Sequence, residues 1–99
     1  MGSENKIIWS DSAKNSFYDI LDFLQLTWEQ KQVDDFYNLT DKIIERIAHN
    51  PLQFPIYDSN IYKALIHKNV SLFYKISPNS NQIYLMLFFD NRKKPIQFK

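Results

Sequence analysis

The residues best suited to chemistry stand near the end of the chain, where Arg92, Lys93 and Lys94 occur within "FFDNRKKPIQFK" (88–99). These three consecutive cations follow a run of large apolar side chains and stop at Pro95. Such a cluster suits a phosphate group, an acidic protein surface, or plain solvation. Upstream, Lys63 adds an amine and His67 an imidazole whose ordinary pKa fits proton transfer near neutrality. Asp58 and Asp90 supply carboxylates. A metal centre has no ligand set, because the two histidines are isolated and there is no cysteine. Apart from Gly2 the chain has no glycine, which removes the backbone loops that cradle nucleotide phosphates. No cofactor is expected.

These groups must be positioned by a small body. Ninety-nine residues make one domain, and 16% aromatic content lets a short chain bury a large area. The lack of cysteine fits a reducing compartment, and no stretch nears the roughly 20 apolar residues of a membrane span. The expectation is a cytoplasmic domain without membrane contact, in which residues 1–4 carry no structural weight. Charge is divided along the chain. Residues 1–60 hold five Lys/Arg against ten Asp/Glu, and residues 61–99 hold seven against Asp90 alone. The second half therefore suits an acidic partner, or the two halves attract each other.

"NKIIWS" (5–10) reads as a strand, after which Ser10, Asp11 or Ser12 can cap a helix. Ala13, Phe17, Ile20, Leu21 and Leu24 recur at helical spacing and predict a helix over 12–26. Val33, Phe36, Tyr37, Thr40, Ile43, Ile44 and Ile47 predict a second, stopped at Asn50-Pro51. The short "TWEQK" connection makes the two an antiparallel hairpin. "PLQFPIYDSN" (51–60) reads as a loop. The period then changes to two, giving strands at 61–67 and 70–77, and a nearly continuous apolar run at 82–90 suits a central strand. The fold class is α+β, with an N-terminal strand, a helical hairpin and a three-stranded antiparallel meander (β-α-α-β-β-β). The helices cover one face, "IYKALIH" (61–67) lies at an edge open to pairing, and Arg92 emerges beside the uncovered face. His67, at a strand end beside a turn, fits a structural histidine better than a catalytic one. His49 suits the negative end of the second helix.

This order resembles the RelE/ParE superfamily of type II toxin–antitoxin toxins. The resemblance is carried by Trp9 and Ala13, the Pro51…Phe54-Pro55 loop, "YKALIHKNVSLFYKI" (62–76) and "FFDNRKKP" (88–95). It implies a toxin neutralised by a cognate antitoxin that wraps its active surface, the two forming a hetero-oligomer. RelE-like members cut mRNA on the ribosome, and ParE-like members inhibit DNA gyrase. By that resemblance, a cleaving member carries lysine on the 61–67 strand, arginine early in the 70–77 strand, arginine after the last strand and a tyrosine near the end. Lys63 and Arg92 match two of these positions, but Ser71 falls on the first arginine and Phe98 near the tyrosine. Missing an anion-gripping donor typically costs about 10²–10³ in rate, and a general acid or base roughly 10²–10⁴.

The weak catalytic candidates are Lys63, His67 and Arg92. The target-binding candidates are Arg92, Lys93, Lys94, Lys63, Tyr62 and Phe98, since arginine and aromatics commonly anchor interfaces. The favoured expectation is a ParE-like inhibitor of DNA gyrase or another essential protein. The alternatives are a ribosome-dependent mRNA endoribonuclease and a decayed fold that only holds its antitoxin. A near-neutral pI of about 7.9 weighs against broad docking to RNA.

Overall fold

In the computed structural model the elements run β1 (Lys6–Trp9), α1 (Asp11–Thr27), α2 (Gln30–His49), β2 (Ile56–Asp58), β3 (Ile61–His67), β4 (Val70–Ile76) and β5 (Gln82–Asp90). The structure describes residues 5–78 and 80–92. The strands form one sheet in the order β1-β5-β4-β3-β2, antiparallel except where β1 pairs parallel with β5. Both helices pack on one face, as the periodicities require.

Two serines lock α1 to the sheet. Ser10 caps the helix, its Oγ accepting the Ala13 amide at 3.0 Å and donating to the Met86 carbonyl at 3.1 Å. Six residues on, the Ser16 hydroxyl accepts the Phe88 amide at 2.9 Å. Both contacts fall on a bulge in β5. Phe73 pairs with Leu87 and Tyr74 with Leu85, so Met86 has no counterpart on β4. The extra residue shifts the alternation, and Ile83, Leu85 and Phe88 face the helices rather than Ile83, Leu85 and Leu87. At the start of α2, the Gln32 side chain accepts the Glu29 amide at 3.1 Å.

Ala13, Phe17, Leu24, Val33, Phe36, Ile43 and Ile47 from the hairpin meet Ala64, Ile66, Leu72, Tyr74, Ile83, Leu85 and Phe88 from the sheet. Phe17 is central, with ring centroids 4.9 Å from Phe88, 5.7 Å from Trp9 and 6.2 Å from Phe36. Burial of each such side chain contributes about 1.5–3 kcal/mol.

Three expectations need correction. The stretch read wholly as a loop contains β2, because pairing of Ile56 with Tyr62 outweighs the local turn signals. Those signals survive at Ser59, whose φ of 50° reverses the chain between β2 and β3. Consequently "IYKALIH" is not the sheet edge; β2 runs beside its first half. The central strand is β4, not β5, and its residues Val70 to Tyr74 are all buried, whichever face they point to.

Candidate functional site

The sheet separates the candidate residues into two places. On the face away from the helices, Lys63 stands opposite Phe73, and its ammonium lies 5.6 Å from the centre of the Tyr57 ring. Tyr57 and Phe89 lie against Phe73, at 4.8 and 6.2 Å between ring centroids. The middle of this face is closed: Ser71 is 0% and Phe73 1% exposed. The Ser71 hydroxyl donates to the Asn91 side chain at 2.8 Å. Lys75 lies on the same face, paired with Ile61 and Tyr84, so the cations there are spread among aromatic and aliphatic side chains.

Arg92 lies elsewhere. The sequence placed it beside the uncovered sheet face, but it turns toward the helices and its guanidinium sits over the Phe23 ring of α1, 5.5 Å from the centroid. Its Nε and Nη2 donate to the two Asp90 oxygens at 3.0 and 2.8 Å, and its backbone amide donates to Oδ1 at 3.0 Å. That hydrogen-bonded pairing raises the guanidinium pKa further, so Arg92 is a fixed cation. The cause is local. Asp90 pairs with Val70, which belongs to the helix-facing set, so the side chain Arg92 must follow is on that side.

His67 shares this region. Its Nδ1 accepts the Asn69 amide at 3.2 Å and its ring lies 5.3 Å from that of Trp28. The bond fixes the ring in the β3–β4 turn, and Nε2 carries the proton when the ring is neutral. With Phe23, Leu24, Trp28, Val70 and Arg92 it borders a cleft of about 450 Å³ at the tip of the helical hairpin.

Tyr62 is not on the same surface as Lys63. It stacks on Tyr74 at 5.3 Å, partly buried against the core. The Tyr74 hydroxyl donates to the Pro51 carbonyl at 2.6 Å. Burial, with a smaller contribution from Tyr62, pushes the Tyr74 phenol pKa well above its ordinary value, so it cannot exchange a proton near neutrality. His49 lies in the last turn of α2. Lys93, Lys94 and Phe98 lie outside the described residues. Among the described residues no three His, Cys, Asp or Glu side chains converge to hold a metal ion.

The sequence reading overlooked Phe23 and Trp28. Phe23 falls off the apolar stripe of α1, and a large aromatic at an exposed helical position, 46% exposed here, was the available signal. The Asp-x-Arg spacing of Asp90 and Arg92 was the corresponding signal for their pairing.

Among the described residues no helix is long and apolar enough to cross a membrane. Among curated proteins none matches this sequence. Solved structures do share the fold. One is the toxin–antitoxin complex RelBE2 from Mycobacterium tuberculosis, with TM-score 0.64 and 8% identity over 89% of this chain and 99% of that chain. A YoeB/ParE toxin from Agrobacterium tumefaciens gives TM-score 0.61 and 13% identity over 86% of this chain and 97% of that one. A copper-bound mutant toxin from Helicobacter pylori gives TM-score 0.56 and 15% identity over 89% and 96%. In sequence, residues 7–95 match the family described as the ParE toxin of the type II toxin–antitoxin system parDE. With nearly its whole length inside that match, the chain belongs to the ParE toxin family, within the RelE/ParE superfamily.

Proposed function

We propose that this toxin arrests bacterial growth by gripping an essential protein without cutting it, with DNA gyrase the favoured target, and that a cognate antitoxin neutralises it. The observation that carries the reading is Ser71. Where the resemblance to cleaving toxins calls for a phosphate-gripping arginine, this chain has a fully buried hydroxyl engaged by Asn91. The rest of the helix-free face supports the same view. Lys63 lies over the Tyr57 ring, while His67 and Arg92, the other two catalytic candidates, stand apart from it around the hairpin tip. Among the described residues, transition-state charge would meet no convergent donors there. An antitoxin partner is supported by family membership, and the M. tuberculosis relative is itself a toxin–antitoxin complex.

Purified toxin mixed with gyrase and relaxed plasmid is expected to block supercoiling, with relief on adding the antitoxin. In a reconstituted translation reaction the mRNA should stay full length. Unimpeded supercoiling at excess toxin would remove gyrase as the target, and A-site cleavage of the message would overturn the binding reading altogether.

A further inference from the structure

We propose that the cleft at the tip of the helical hairpin, not the helix-free sheet face, is where the target docks. We further infer that it takes a protein segment presenting an apolar side chain next to a carboxylate. This rests on the reading that the toxin acts by binding, and it names the surface and the recognised chemistry.

The cleft has the form of an anchor site. Buried Leu24 and Val70 line it, with Phe23 and the partly buried Trp28 beside them. At about 450 Å³ it falls within the ~300–1,000 Å³ range of ligand-binding concavities. An apolar side chain entering it would leave water on one side and meet aromatic faces on the other.

Although Asp19 and Asp90 also line it, the cleft offers an anion two local donors. Arg92 is stacked on Phe23 and fixed by Asp90, yet its side chain remains 54% exposed. Because Nε and Nη2 bond Asp90, Nη1 is the edge of the guanidinium left to meet a partner. His67, accepting at Nδ1, has its Nε2–H as a second donor. Trp28, His67 and Asn69 also line an adjoining cleft to which Lys68 contributes. Of the nearby acids, Asp90 already bonds Arg92 and Asp35 bonds Lys31 at 3.2 Å, while Asp19 lies one helical turn before Phe23. A carboxylate near Arg92 and His67 is thus matched, and one near Asp19 is repelled. The stacked, ion-paired arginine is also pre-positioned, so less side-chain freedom is lost on binding. Arginine and tryptophan are among the residues that dominate interface energetics, and phenylalanine is enriched at interfaces. On the opposite face a partner would meet the closed surface above Ser71 and Phe73.

The test is growth arrest by the full chain expressed in a susceptible bacterium, which does not presuppose the target's identity. Phe23→Ala and Arg92→Ala alter exposed side chains, and thermal unfolding should confirm that both fold. Each is expected to weaken growth arrest by at least about tenfold in inducer titration, the loss typical of an interface anchor. Leu65→Ala and Tyr84→Ala, at exposed positions across the sheet, are expected to leave it unchanged. Full arrest by folded Phe23→Ala and Arg92→Ala overturns the proposal. So does equal loss in the Leu65 and Tyr84 variants, or a wild-type chain that arrests nothing. Gyrase supercoiling measured alongside separates the two claims: insensitivity there refutes the favoured target, while the variant pattern still decides the surface.

Discussion

The two faces of the central sheet are built from the same strands but have opposite electrical and packing character. On the helix side, β4 and β5 contribute Leu72, Tyr74, Leu85 and Phe88 to a deep aromatic core roofed by the hairpin. On the other side the same strands present Ser71, Phe73, Lys75 and Phe89, with Lys63 from β3 beside them and, among the described residues, no helix above. The hairpin carries the chain's acidic excess, whereas the lysines of β3 and β4 line the helix-free face. Even so, the best-organised arginine is not on the cationic face. It bridges to the acidic, helical side through Asp90 and Phe23. Local charge density alone is therefore a poor guide to where a partner is gripped; a cation held in fixed geometry beside an apolar concavity is a better one.

The sharpest way to break this comparison is Ser71→Arg, which restores on paper the donor expected of a cleaving toxin. Position 71 is fully buried, so an uncompensated guanidinium there should cost about 3–5 kcal/mol in urea unfolding. A variant of unchanged stability that cuts ribosome-bound mRNA would show the face to be an adaptable active surface. Next in size is Leu72→Ala, a cavity at the centre of the helix-side core, expected to cost about 2–5 kcal/mol. The matching change Leu65→Ala, at a residue 56% exposed, should cost under about 1 kcal/mol. Similar losses at both positions would erase the packing contrast.

A smaller effect than at Leu72 belongs to Tyr74→Phe, which removes the bond to the Pro51 carbonyl and should cost about 1 kcal/mol. It also carries a pH signature. An unfolded tyrosine ionises above about pH 10, whereas buried Tyr74 resists ionisation. The unfolded chain then releases protons that the folded chain keeps, so stability should fall as pH rises above about 10. Tyr74→Phe should blunt that decline; an identical alkaline profile would mean the phenol is less enclosed than its packing indicates.

Much of the fold could be read from residue spacing. Val33 to Ile47 could only be one face of a helix, and the change to period two at Ile61 marked the start of the meander. β2 was not legible, because its three residues lie among turn formers and owe their strand form to pairing with β3. Of the candidate site, the types were visible and the placement was not. Lys63, Tyr62, His67 and Arg92 were identified as candidates together, yet Tyr62 faces the core, Lys63 faces away from it, and His67 and Arg92 border the hairpin cleft.

The sequence by itself determined the two amphipathic helices, the order of every strand but β2, the division of charge and the absence of thiol or glycine-loop chemistry. These follow from local periodicity and composition, which need no distant contact. Only the tertiary structure decided which face each strand residue occupies, because one extra residue at Met86 reverses the alternation beyond it. It alone decided, too, that Arg92 meets Phe23, a residue far away along the chain brought near by packing of α1 on β5.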